Sequence, residues 1–309
     1  MTEDNALDFK SRHPGRMHAC GHDAHVAMLV GAARVLAEAR GELAGAVKFM
    51  FQPGEEGFFG ARSMIEEGVL EAPRVDAAFA IHVDPRTPLG MVETRRGPLL
   101  ASSDNFTIEV IGRGGHASMP HDAVDPIPVA CEIVLALQSL ITRQIDVFRP
   151  VVLTVAKIEA GTTSNVIPET ARLRGTLRAV SEESGERARV GMERLVTGIA
   201  AAHGLEARIK LEKGYPVTVN DPGFVGFVVD TSRALLGEAQ VVEMPSPIMG
   251  AEDFSYVLQR VPGAMVFLGA RPQGVQNPAP CHSNLMQIDE NAMATGIALH
   301  VAVARAYLC

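Results

Sequence analysis

The sequence predicts an α/β protein in which a discontinuous domain on a mostly parallel sheet is interrupted by a ferredoxin-like α+β insertion. Three observations lead there. Apolar runs and amphipathic stretches alternate as strand and helix at both ends of the chain, the rhythm of parallel-sheet units. Between residues 104 and 214 the order is instead β-α-β-β-α-β, which forms a complete small domain by itself. Finally, 309 residues are long for a single compact core, so two domains are expected.

Taken in order, "HVAMLVGAARVLAEAR" (25–40) carries small and apolar residues at helical spacing, and "GELAG" ends it. The run "AVKFMF" (46–51), bounded by Gly and Pro, reads as a buried strand. After the loop "QPGEEGFFG" come a helix in "ARSMIEEGVL" (61–70) and a strand in "VDAAFAIHV" (75–83). The insertion follows as strand 104–112, helix 124–144, strands 150–161 and 171–180, helix 181–204 and strand 205–214. Helix 222–236, strand "AQVVEM", helix "EDFSYVLQRV", strand "GAMVFLGA" and helix "ENAMATGIALHVAVARAYL" resume the first pattern. The expected boundaries are 1–98 with 214–309 for the outer domain and 99–213 for the insertion.

Composition narrows the function. Hydrophobic residues make up 47% and charged ones 21%, ordinary for a soluble globular protein. A net charge of -8 without a basic tract excludes nucleic acid as the partner. No apolar leader and no apolar window of membrane-spanning length stand out, so a cytoplasmic protein with no membrane partner is expected. The four cysteines form no CxxC pair, which argues against a disulfide framework or a zinc ribbon.

Four places carry chemistry. In "MHACGHDAHVAML" (17–29), Cys20 and His22 precede a helix and are donor types that suit zinc and similar cations. The same stretch also fits a thiol nucleophile with His22 or His25 as its base, or a polar helix start capped by Asp23. In "FQPGEEG", Glu55 and Glu56 follow a predicted strand. They read either as partners of a helix dipole, or as one metal-binding carboxylate and one general base, with glycines on both sides allowing the turn. His82 ends the strand "AFAIHV", where a lone histidine is more often a satisfied core residue than a ligand, and His282, in the Pro-rich "APCHSN", is weak evidence by itself. Position joins them: Glu55, Glu56, His82 and His282 each follow a strand, and ligands of open parallel sheets bind outside the carboxyl ends of strands. Cys131, in an apolar helix, reads as packing; His13, His121, His203 and His300 are left outside the site.

The ordered series "MHACGHDAH", "FQPGEEG", "AIHV", "GRGGHASMPH", "GTTSNVIPE", "GTLRAV", "MGAEDFSYV" and "CHSN" resembles the dinuclear-metal amidohydrolases of the aminoacylase and carboxypeptidase G superfamily. It is most similar to the branch of hippurate hydrolases, N-acyl-amino-acid amidohydrolases and indole-acetyl-amino-acid hydrolases. The resemblance implies hydrolysis of the amide bond of an N-acyl amino acid. It also implies two divalent ions (zinc, manganese, cobalt or nickel) held by Cys20, His22, Glu56, His82 and His282, with the thiolate bridging and Glu55 as the base. By the same resemblance the insertion is a lid through which subunits form a homodimer. His116 in "GGHAS" then reaches the reacting carbonyl, commonly across the dimer, and Asn165 and Arg178 face substrate. An Arg fork suits the carboxylate of an amino acid, although Arg178 also reads as a solvated strand-end residue. Gly250, Glu252 and Asp253 either shape the substrate-side wall or cap the next helix.

Chains of this kind usually carry a further strand and an Arg-Ala-Asp-Met-Asp-Ala-Leu-Pro type motif before the Cys-Gly-His-Asp stretch, and neither occurs here. The expectation is an ordinary enzyme shortened at its N-terminus. The alternative is a non-catalytic member that still dimerises and binds metal.

Overall fold

A computed structural model describes residues 1–309. The chain opens with α1 (His22–Glu38) and α2 (Gly60–Glu66), then runs through β1 (Ala78–Asp84), β2 (Val92–Thr94) and β3 (Gly97–Leu100). The insertion contains β4 (Asp104–Ile111), β5 (Gly115–His116), α3 (Pro126–Gln144), β6 (Val151–Ala160), β7 (Val166–Ile167), β8 (Thr170–Ala179), α4 (Glu182–Ala202) and β9 (Glu206–Lys213). The chain ends with β10 (Thr218–Asn220), α5 (Pro222–Leu236), β11 (Val241–Glu243), α6 (Ser255–Leu258), β12 (Gly263–Gly269) and α7 (Ala292–Leu308). Two compact units result: Met1–Leu99 with Val219–Ser246 and Val257–Cys309, and Leu100–Thr218 with Pro247–Tyr256. Residues 214–218 and 247–256 thus group with the inserted unit, whereas the sequence reading put them in the outer one.

The outer unit is built on a sheet of order β1-β12-β2-β11. β1 runs parallel to β12 and β2 parallel to β11, while β12 and β2 are antiparallel. Every residue of β12 is buried, as expected of the near-continuous apolar run "GAMVFLG" with neighbours on both sides. Met28 of α1, Val225 and Val228 of α5 and Leu299 of α7 join Val83, Val266 and Leu268 in one core. α5 begins where Asp221 accepts a hydrogen bond from the Phe224 N–H and Pro222 opens the helix, a start signal present in the sequence. The run 46–51 forms no strand: an apolar run becomes a strand only by pairing, and this one joins no ladder.

The inserted unit has the sheet order β6-β8-β4-β9 with every pair antiparallel, the arrangement expected from its β-α-β-β-α-β order. α3 and α4 cover it, burying Ile133, Leu137, Leu140, Met192 and Val196 against Phe106, Ile108, Leu173 and Leu177. Asp125 caps α3 through the Ile127 N–H, and Ser181 caps α4 through the Ser184 N–H. α3 is long and apolar enough to span a bilayer by composition, yet one face packs on the sheet, as the core helix of a globular unit does. Cys131 corrects the sequence reading: it sits on the solvent side of α3 and is exposed, because the helix buries the face through Val129, Ala130 and Ile133 instead.

His300 of α7 packs edge-on to Phe79 of β1, with ring centroids 5.4 Å apart. Burial lowers its pKa from 6.5 to about 4. The unfolded chain therefore takes up a proton first as pH falls below 6.5, and the native state loses stability down to about pH 4, by at most ~1.4 kcal/mol per pH unit from this residue. Urea midpoints at pH 5 and pH 7.5 are expected to differ less in His300→Leu than in the wild type; an equal difference contradicts this account.

Candidate metal centre

The N-terminus of α1 is set against β1 by Gly21. Its φ of 77° lies in the left-handed region, and an added Cβ would stand 2.4 Å from Val83 Cγ2. Only glycine meets both conditions, and its neighbours Cys20 and His22 are thereby brought to the end of β1. His22 is the first residue of α1, not part of the preceding loop as expected. One turn on, His25 accepts the Val83 N–H at Nε2 (3.0 Å), and burial holds its pKa well below the usual range. His25 thus spends that nitrogen joining helix to strand.

His82 lies 2.7 Å through Nδ1 from the Val83 carbonyl, which can only accept, so Nδ1 carries the proton. The lone pair is left on Nε2, 3.5 Å from Cys20 Sγ. Burial lowers the pKa of His82 to about 4 and also lowers that of His22. Both rings are kept in the neutral form that ligates cations.

Glu55 and Glu56 sit in a turn made by Gly54 (φ 61°) and Gly57 (φ 85°), closed by the Phe58 N–H donating to the Gly54 carbonyl at 3.1 Å. The turn sends the carboxylates to different partners. Glu55 Oε2 is 3.9 Å from His22 Nε2, and Glu56 Oε1 is 2.9 Å from His282 Nε2. His282 has a left-handed φ of 68°, and its N–H donates to the Ala19 carbonyl at 2.6 Å, which ties this loop to the Cys20 loop. A non-glycine residue held in that region stores strain of the kind found at functional sites.

Three interlocking sets of donors lie wholly within the outer unit: Cys20 with His22 and His82, Cys20 with Glu56 and His282, and His22 with Glu55 and Glu56. Within each set the ligand atoms lie within 4.8 Å of one another. Among these three, Cys20, His22 and Glu56 each belong to two sets, as expected of donors around a shared centre. All six residues are in the outer unit.

One participant escaped the sequence reading. Cys281 lies beside Cys20, and its thiol is the main reason the Cys20 thiol is pushed far up, followed by burial and by the charges of Glu56 and Glu55. The Cys281 thiol is correspondingly lowered. Its signal was its place beside His282, but only the tertiary contact between the two loops reveals its neighbour. Two thiols, two carboxylates and three imidazoles crowd one region, where a cation would reverse the penalty on ionised sulfur. Sulfur, nitrogen and oxygen donors together fit zinc and related divalent ions.

The inserted unit holds the remaining candidates. His116 and Asn165 line one open cavity of about 420 Å³ with Gly114, Gly115 and Val166. His116 is exposed, as its flanking glycines suggested, and pairs with Val166 across the β5–β7 ladder. Arg178, on β8 outside that lining, is half-buried rather than a solvated strand end. Its charge partner Asp104 is already engaged by Arg189 at 2.8 Å. Glu252 Oε1 accepts the Phe254 N–H at 3.1 Å just before α6. Burial raises its pKa to about 7.

The two-unit fold and the clustered donors define a metal-dependent amidohydrolase. The chain belongs to peptidase family M20/M25/M40, whose model matches residues 2–306. It is 41% identical over 312 residues to IAA-amino acid hydrolase ILR1-like 4 of Arabidopsis thaliana, spanning 100% of this chain and 70% of that protein. It is 37% identical over 293 residues to N-acetyl-L-cysteine deacetylase of Bacillus subtilis, spanning 95% and 68%. Its structure superposes on that of the Bacillus subtilis YXEP protein, a dinuclear metal binding peptidase of the M20 family, with a TM-score of 0.84 and 34% identity, spanning 99% and 78%.

Proposed function

We propose that this protein hydrolyses the amide bond of N-acyl amino acids or similar small amides, using two divalent ions held by Cys20, His22, Glu56, His82 and His282. The observation that carries this reading is the interlocking of three donor sets through Cys20, His22 and Glu56. Two relatives support the substrate class, one acting on an IAA-amino acid and the other on N-acetyl-L-cysteine. Both are hydrolases, which does not favour the non-catalytic alternative.

Divalent ions, when bound, supply Lewis acidity that polarises a carbonyl and acidifies water. Glu55 takes the proton from the attacking water and delivers it to the leaving amine. Its partial burial beside His22 and the pairing of Glu56 with His282 favour this division of labour over the reverse. Arg178 holds the carboxylate of the amino-acid half, and Asn165 contacts the substrate. His116 donates a hydrogen bond to the carbonyl oxygen as negative charge develops on it. The enzyme works as a homodimer through the inserted unit; an active species that sediments as a monomer overturns that part.

Treatment with a chelator is expected to abolish turnover on a panel of N-acyl amino acids, and adding back zinc, manganese, cobalt or nickel to restore it. Full turnover after the metal has been removed overturns the proposal.

A further inference from the structure

The loop after β5 folds back on His116. The Ala117 N–H donates to the Asn165 carbonyl at 3.1 Å, and the Met119 N–H donates to the His116 carbonyl at 2.9 Å. Between them the Ser118 N–H points at His116 Nδ1 at 3.1 Å, and Ser118 Oγ lies 2.8 Å from the same nitrogen. A backbone N–H has no lone pair and can only donate, so Nδ1 must accept. A neutral imidazole has one accepting and one donating nitrogen, and its proton therefore sits on Nε2. The Ser118 hydroxyl, aimed at the same lone pair, reinforces that choice.

We propose that Ser118 is a positioning residue: its N–H and Oγ hold His116 in the Nε2–H tautomer, so that the ring meets substrate as a hydrogen-bond donor and not as a base. The inference rests on the amide-hydrolysis reading for its consequence, but the tautomer itself does not. It explains how two groups that could both take protons keep separate tasks. With Nε2 already protonated, His116 cannot accept a proton there, and proton transfer is left to Glu55. A donor fixed before the reaction begins needs no reorganisation as charge develops on the carbonyl oxygen. Rotation of the ring is opposed as well, since a flipped imidazole would present C–H to both Ser118 donors.

The test uses the full-length holoenzyme labelled with ¹⁵N-histidine, with the His116 signals assigned by their loss in His116→Gln. A long-range ¹H–¹⁵N spectrum is expected to show His116 protonated on Nε2 and bare on Nδ1; a ring protonated on Nδ1 overturns the proposal. Turnover of N-acetyl-L-alanine and N-benzoylglycine is measured alongside. Ser118→Ala keeps the backbone donor and loses the hydroxyl, so its kcat is expected to fall about tenfold, the worth of one hydrogen bond, with KM within about twofold. Ser118→Thr restores kcat. Wild-type kcat in Ser118→Ala, with an unchanged spectrum, also overturns the proposal. If the holoenzyme turns over neither amide, the substrate reading fails, while the spectrum still decides the tautomer.

Discussion

Replacing Glu55 by glutamine is expected to lower kcat by at least ~10²–10⁴-fold, the usual worth of a positioned general base. Metal content and KM are expected to remain at wild-type values. Glutamine keeps the size of the side chain but cannot carry the proton between attacking water and leaving amine. The ligand role falls to Glu56, which shares a donor set with Cys20 and His282 and lies 2.9 Å from His282. Glu56→Gln should therefore lose metal, and that difference separates two adjacent residues the sequence alone leaves interchangeable. Full activity in Glu55→Gln, measured by initial rates with metal analysis of the same sample, contradicts the assignment.

The largest stability effect is expected at Arg189 of the inserted unit. Its guanidinium is buried at 5% exposure and bonds Asp104 at 2.8 Å, Glu182 at 2.6 Å and Glu186 at 2.9 Å. Asp104 is itself buried, so Arg189→Met takes away the guanidinium bonded to it, leaves only the more distant Arg178 charge, and should cost ~3–5 kcal/mol. Adding Asp104→Asn removes the stranded charge and should recover much of that loss, because the two residues act as one pair. Urea unfolding followed by circular dichroism measures both. A loss below ~1 kcal/mol in the single variant contradicts the account.

How far these features are legible in the sequence depends on how local their causes are. Helix α5 matches its expected range because Asp221, Pro222 and the apolar spacing all act within that segment. The ferredoxin-like order is legible for the same reason, since each of its strands and helices is long enough to show its own period. The three-residue strands β2 and β11 and the short α6 carry too little period to be read in full. The run 46–51 misleads in the opposite way: its residues favour a strand, but pairing is a property of neighbours and not of the run. Cys131 lies on an apolar helix whose exposed side is set by where the sheet falls.

At the site, the kinds of donor follow from the motifs, so Cys20, His22, Glu55, Glu56, His82 and His282 can be named in advance, although the strand expected before Glu55 and Glu56 does not form. Their partners cannot. His25 turns away to the Val83 N–H, Cys281 meets Cys20 through the Ala19–His282 contact, and Ser118 meets His116 within a turn whose geometry two residues do not disclose.

The central claim is that Cys20, His22, Glu56, His82 and His282 form one dinuclear metal centre. Isothermal titration of metal-free protein with zinc, checked by elemental analysis, tests it most directly. Two ions per chain are expected in the wild type, and fewer than two in a Cys20→Ala variant whose circular dichroism is unchanged. A wild-type protein that binds no ion, or a Cys20→Ala variant that binds two with undiminished affinity, would contradict the account.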